Sequence, residues 1–375
     1  MRALALRDMC DDFADLAKLT ADRMTALQGL RDELRQPGCS VPLWVCEEVS
    51  AGIRWLVEQY SATAIELAEF SRCAESAQSE GLLAGLNTAR RRVAEVLRAR
   101  QPLTAALLVA ADWHSPSIAH SVHSTAARYD GHVVPHHDDY KRDRHPDEAA
   151  WEQRWVEEMV DNPHGHRLRA LMTASGMAAF TTVLNHVAEQ VGNRPVLMGA
   201  ATYHECRELL HRSSLRDRIV AIPEGDLEGW RSAILRTPAA VFVDSLCNAA
   251  GLPVADIESL IALLHQRDER MFLVVDNTAR SVTLQPWTWL TAPTRLRMIV
   301  FESLTKYAQL GLDRTAGGLM VAAADDANRL DVLREHLGTN IADASVHQVP
   351  RPDRSLLERR LRRIGRKRPD LGGHP

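Results

Sequence analysis

Lys306 lies in Ser303-Leu304-Thr305-Lys306-Tyr307, thirty positions after the apolar run Met271-Phe272-Leu273-Val274-Val275 gives way to Asp276-Asn277-Thr278. A second apolar run, Met298-Ile299-Val300-Phe301, leads directly into the lysine segment. Two buried strands ending this way would offer a nucleophilic amine, a carboxylate for a cationic ring and hydroxyls for an anion. Pyridoxal 5'-phosphate (PLP) makes those three demands. Asp276 facing a pyridine nitrogen would keep the ring able to take electrons from a substrate carbanion. Lys306 held among apolar strand ends would lose proton affinity and become a usable nucleophile. Ser303 and Thr305 flank it with hydroxyls suited to phosphate oxygens, and Gly317-Gly318 lets backbone approach closely before Leu319-Met320-Val321. Further back, Thr173-Ala174-Ser175-Gly176-Met177-Ala178-Ala179 is a small-residue turn leading into an apolar helix. Such a turn presents free N–H groups and the positive end of a helix dipole to a phosphate. Each piece alone has an ordinary structural explanation: a strand-end turn, an exposed lysine, an N-cap serine.

These residues need a scaffold, and the pattern around them supplies one. Short strands are expected at 195–198, 218–222, 239–243, 271–275, 298–301 and 319–321. Helical patterns lie between most of them, after Ser175-Gly176 and around 205–213, 227–235 and 257–266. Alternating strands and helices predict a mostly parallel sheet covered on both faces, with ligands at the carboxyl ends of the strands. Asp276 and Lys306 both fall at such ends. Residues 1–112 read differently. Leu6, Met9, Phe13, Leu16, Met24, Leu27, Leu30 and Leu34 recur at helical spacing until Pro37-Gly38. A second amphipathic stretch covers about 43–70, and a third 82–97, ending near Gln101-Pro102. The chain is therefore expected to divide into a helical extension (1–112), an extended arm or linker rich in His, Ser, Pro and Asp (113–165), a cofactor-binding α/β domain (166–325) and the incomplete start of a C-terminal domain with a basic tail (326–375).

At 375 residues, with 45% hydrophobic and 25% charged residues, the chain can bury a sizeable core. A net charge of -4 argues against nucleic acid as the main partner, although Arg359-Arg360-Leu361-Arg362-Arg363 is a local basic patch. No run approaches the ~20 apolar residues of a membrane span. Asp8, Asp11 and Asp12 interrupt any secretory segment. The scattered cysteines read as reduced thiols in a cytoplasmic protein.

The ordered set Ser175-Gly176-Met177-Ala178-Ala179, Asp276-Asn277-Thr278, Ser303-x-Thr305-Lys306-Tyr307 and Gly317-Gly318 resembles the Cys/Met metabolism (transsulfuration) family of fold-type-I PLP enzymes, which includes cystathionine γ-synthase and methionine γ-lyase. The likeness spans about 135–340. It implies that Lys306 forms the Schiff base and Asp276 partners the pyridine nitrogen. Gly176 and Met177 would give phosphate-binding amides, with Ser303 and Thr305 adding hydroxyls. Tyr203 would stack on the ring and assist proton transfer, and Asn248 would stand near its phenolic oxygen. Tyr140-Lys141-Arg142 is similar to a segment whose Tyr and Arg reach into a neighbouring subunit's phosphate site, which implies a homodimer or homotetramer. The implied reaction is elimination or replacement at the γ-carbon of a small amino-acid substrate. A β-eliminating C–S lyase and a catalytically silent subunit on the same scaffold are the alternatives.

The chain also departs from the family pattern. His204-Glu205-Cys206 stands where Gly-Gly-Thr is usual, Asp244 replaces a Glu, and Leu246 and Ala249 replace prolines. With 69 residues after Lys306, the C-terminal domain that carries the family's carboxylate-binding arginine is expected to be curtailed. His132, His136, His137, Asp138 and Asp139 include metal-ligating types but lack helical i, i+4 spacing, so no metal is expected. No Gly-x-Ser-x-Gly elbow suggests a hydrolase.

Overall fold

The computed structural model describes residues 2–36, 43–75, 80–110, 128–129, 132–133 and 146–366. The chain forms two units that interleave along it. One takes in Met1–Lys141, Gln309–Thr315 and Asp343–Arg351; the other takes in Arg142–Ala308, Ala316–Ala342 and Pro352–Pro375.

In the first unit, α1 (Arg2–Glu33), α2 (Leu43–Glu75) and α3 (Glu80–Ala110) pack against one another. Phe13 and Leu16, Leu27 and Leu30, Ile53 and Leu56, and Val93 and Leu97 are buried at the three- and four-residue spacing that marks a helix face. α3 runs through Pro102 to Ala110, beyond the stop read from sequence. Proline removes one helical hydrogen bond. The buried Tyr60 hydroxyl to Thr104 Oγ1 contact at 2.8 Å and fully buried Ala105 anchor the turn beyond it. A short helix, Asp343–Gln348, has its final carbonyls held by this unit: Arg23 donates to Gln348 O at 2.9 Å and to His347 O, and Gln101 also donates to Gln348 O.

The second unit is built on seven strands: β1 (Leu168–Thr173), β2 (Val196–Gly199), β3 (Ile219–Ile222), β4 (Ala240–Asp244), β5 (Met271–Asp276), β6 (Leu296–Ser303) and β7 (Gly318–Ala323). Their order across the sheet is β1-β7-β6-β5-β4-β2-β3. β2 to β6 run parallel, and β7 lies antiparallel between β6 and β1. Consecutive buried residues along β4, β5 and β7 mean that both sheet faces are covered, as the parallel pattern required. The covering elements include α4 (Pro146–Met159), α5 (Gly176–Ala188), α6 (His204–Arg212), α7 (Leu227–Ile234), α8 (Ile257–His265), α9 (Ala324–Leu337) and α10 (Arg354–Arg366).

Several elements were not foreseen, among them β1, α9 and the short helix Asp343–Gln348. Another is α4, inside the segment read as an extended arm. Trp151, Trp155 and Met159 are buried at four-residue spacing, and Asp147 and Glu148 complement the dipole of its first turn. The His- and Asp-rich stretch before them obscured that period. Among the described residues, no helix is long and apolar enough to cross a membrane.

Candidate active site

The carboxyl ends of β1, β4, β5 and β6 form one continuous edge, and ladder register sets which residues meet there. Gly318 pairs with Thr173 on one side and with Ser303 on the other. Asp276 pairs with Phe301 and with Asp244. Six positions separated by up to 145 residues in the chain thus share one edge.

The Ser175 turn is held tightly against that edge. Ser175 caps α5 in extended conformation, its hydroxyl accepting from Ala178 N at 3.0 Å. The Ser175 carbonyl accepts from Ala179 N at 3.0 Å and from the Thr173 hydroxyl at 2.9 Å, while Ala174 N donates to Thr339 O at 2.8 Å. The Gly176 and Met177 amides precede the first helical bond and have no acceptor within the helix. A Cβ on Gly176 would fall 2.7 Å from Ser303 Cβ and 3.0 Å from its Cα. Glycine is therefore what lets the α5 terminus approach the lysine segment.

Thr278 joins the next two strand ends. Its amide donates to Asp276 Oδ1 at 2.9 Å, and its hydroxyl accepts from Ser303 N at 2.8 Å. Leu304, fully buried, donates its N–H to Gly317 O at 2.9 Å, which fixes the turn leading to Lys306. Ser303 and Thr305 are half-buried, whereas Lys306 is exposed. The apolar neighbours before Lys306 had suggested a buried amine. Instead, their side chains enter the sheet core and the lysine, three residues past the strand, lies beyond it.

Asp276 has another carboxylate for a neighbour. Burial pushes its pKa up against the pull of the Thr278 hydrogen bonds. Burial and then Asp276 push Asp244 up to about 8, opposed by the Tyr203 amide, which donates to Asp244 Oδ2 at 2.9 Å. Glu302, next in β6, is pushed up to about 8 by burial, with Asp276 adding to the rise. Neither Asp244 nor Asp276 forms an ion pair with a Lys or Arg among the described residues. Tyr203 is half-buried at the start of α6, its hydroxyl raised by burial and by nearby Glu205.

The structure therefore brings Gly176, Met177, Tyr203, Asp276, Ser303 and Thr305 to one edge, with Lys306 on the adjoining turn. Asn248 is exposed in the loop after β4 and makes no hydrogen bond to these residues among those described. Tyr140 and Arg142 lie outside the described residues, as do His136, His137, Asp138 and Asp139. Among the described residues no group of three His, Cys, Asp or Glu is placed to hold a metal. Residues whose role the sequence did not suggest include Thr278, which joins two strand ends, and Asp244 and Glu224, which both grip the turn before Tyr203. Thr278 was visible in the Asp-Asn-Thr run, but only the sheet register reveals what it touches.

The edge suits a ligand with an anion at one end and a cation at the other. The glycine-opened turn offers amides that precede the first helical bond, and the close carboxylates of Asp244 and Asp276 have no Lys or Arg ion pair among the described residues. PLP with a protonated ring nitrogen has that form. The mostly parallel sheet with these residues at its carboxyl edge defines a PLP-binding protein of fold type I. Comparison with known proteins is specific: residues 114–363 match the model for the Cys/Met metabolism PLP-dependent enzymes, and the chain belongs to that family. The bifunctional enzyme flvA of Aspergillus flavus is 29% identical over 234 residues, covering 60% of this chain. The chain spans only 28% of that relative's length. Cystathionine gamma synthase from Xanthomonas oryzae pv. oryzae, solved with aminoacrylate and cysteine and with cystathionine, is 21% identical over 64% of this chain and 56% of its own, with TM-scores of 0.49 and 0.48.

Proposed function

We propose that this chain catalyses PLP-dependent elimination or replacement at the γ-carbon of an amino acid, working as a homodimer or homotetramer in the cytoplasm. The observation that carries this reading is the single edge on which an anion cradle at Gly176 and an uncompensated carboxylate pair at Asp276 stand together. When bound, PLP would supply an electron sink for charge developing at the substrate's Cα and Cβ.

The chain's own groups divide the remaining work. The Gly176 and Met177 amides with Ser303 Oγ and Thr305 Oγ1 would hold the phosphate. Asp276 would face the ring nitrogen and keep its proton in place. Lys306 Nζ would anchor the cofactor covalently and, once displaced by substrate, carry protons at Cα and Cβ. Its exposed position suits such movement. Tyr203, beside Asp244 and Asp276, would stack on the ring and give or take a proton at its hydroxyl. Asn248 would lie near the ring's phenolic oxygen. Tyr140 and Arg142 would serve a neighbouring copy's phosphate.

The test begins with visible spectra of the purified chain with added PLP. A yellow species that borohydride fixes on the Lys306 peptide, and that Lys306→Ala abolishes, is the expected result. Product analysis with homoserine esters and sulfur amino acids then reads the reaction. 2-Oxobutyrate or a γ-thioether supports the proposal. Pyruvate alone places elimination at Cβ, and spectral shifts without turnover leave only binding; either would overturn the γ-carbon reading.

A further inference from the structure

We infer that Asp244 and Glu224 form a two-sided carboxylate clamp that positions Tyr203 for the proposed reaction. Only the chemical role of Tyr203 rests on that proposed function; the clamp itself is geometric.

The clamp follows from strand order. β2 lies between β4 and β3, and the turn 200–203 leaves its carboxyl end to begin α6. Every amide of that turn is engaged. Ala200 N donates to Ile222 O of β3 at 2.9 Å, and Thr202 N donates to Gly199 O at 3.2 Å. The other two reach carboxylates on opposite sides: Ala201 N donates to Glu224 Oε1 at 2.8 Å, and Tyr203 N to Asp244 Oδ2 at 2.9 Å. Both acids are 5% exposed. Tyr203 is the N-cap of α6, and its own side chain makes no capping bond. Asp244 thus supplies, from the neighbouring strand, the acceptor that a capping side chain would otherwise provide.

Gly199 makes room for the clamp. A Cβ there would stand 2.5 Å from Glu224 Oε1 and 3.0 Å from Thr202 Oγ1. A turn that only had to close a strand could use water for these amides. Burying two carboxylates for the purpose is costly unless they hold something whose place matters.

The clamp also couples to the cofactor site. The titratable groups acting on Asp244 and its neighbours are Asp276 from β5, Glu224 from the turn after β3, Glu205 and Cys206 from α6, and Cys247 from the loop after β4. All are acidic types. A cation beside Asp276 would therefore favour the ionised form of Asp244 and strengthen its charge-assisted bond to the Tyr203 amide. Cofactor occupancy and Tyr203 placement would then reinforce each other.

The test uses the full chain, first without cofactor. Hydrogen exchange over residues 199–206 should rise about tenfold at the Tyr203 amide in Asp244→Ala, and stay near wild type in Asp244→Asn, whose amide oxygen still accepts. Glu224→Ala should raise exchange at Ala201, and this serves as the reading if Asp244→Ala does not fold. With PLP and substrate, Asp244→Ala should lower kcat about 10- to 100-fold with KM within about twofold. In a Tyr203→Phe background it should add little further loss. Unchanged exchange in both alanine variants overturns the clamp. Losses that multiply independently with Tyr203→Phe overturn the positioning role. A chain that never binds PLP fails the proposed function but leaves the exchange result readable.

Discussion

Gly317 and Gly318 adjoin each other in sequence, yet the structure assigns them very different tolerances. A Cβ on Gly317 would meet Leu304 Cβ at 3.4 Å, an ordinary contact. A Cβ on Gly318 would fall 2.2 Å from Ser175 O, 2.4 Å from the carbonyl carbon and 2.6 Å from Thr173 Oγ1. Carbon and oxygen normally approach to about 3.3 Å, so roughly 1 Å must be found. The Ser175 carbonyl cannot yield alone, because it holds both the first helical bond of α5 and the Thr173 hydroxyl. Gly318 cannot retreat either, since it is paired with Thr173 and Ser303 on its two sides. Overpacking of this kind costs about 1–3 kcal/mol. If the strain is taken up by the Ser175 turn, that is about 5- to 150-fold in PLP affinity. Spectroscopic PLP titration and urea melts of Gly318→Ala, Gly317→Ala and wild type provide the assay. Gly318→Ala is expected to lose affinity or stability in that range, and Gly317→Ala to change either by less than about threefold. Equal behaviour of the two variants would refute the reasoning.

Asp276→Asn should lower turnover about 10²- to 10⁴-fold while borohydride still labels Lys306, measured by rate and peptide mass; unchanged turnover would remove Asp276 from the ring nitrogen. The chain without cofactor should lose stability as pH rises. Asp244 and Glu302 are raised to about 8 and so bind more protons folded than unfolded. Their contribution is full below the ordinary carboxylate value near 4 and lost as pH rises through 8. The melting temperature should fall by a few degrees between pH 6 and 9, and a rise would contradict the assignment. Arg334 is buried with Glu148 and Glu152 and also donates to Met172 O at 2.8 Å. Arg334→Met leaves the two glutamates facing each other and should cost about 3–5 kcal/mol in urea melts; a cost under about 1 kcal/mol would deny the cluster a structural role.

The residues proposed to bind and react were named from the sequence because each carries its own local signal. Asp276 ends an apolar run, Ser175 starts an apolar helix, and Lys306 sits between hydroxyls. The strands of the parallel core were legible for the same reason: consecutive buried residues leave an unbroken apolar word. What stayed hidden depends on contacts between distant segments. β1 is only half apolar at its start, with Arg169 paired to Asp331, so its strand character comes from pairing with β7. Asp244 resembles any strand-end acid until strand order places it over the Tyr203 amide. Lys306 was expected to be buried because its apolar neighbours were taken to share its surroundings, although a chain leaving a sheet changes surroundings within one turn.

The place of β7 has a consequence for how this protein is made. The Ser175 turn rests on Gly318, so the piece that completes it is synthesised about 140 residues later. At 5–20 residues per second, a ribosome needs about 7–28 s to supply it. Throughout that interval β1 lacks β7, its one sheet partner among the described residues, leaving Leu171 and Met172 open to nascent-chain chaperones or to wrong strands.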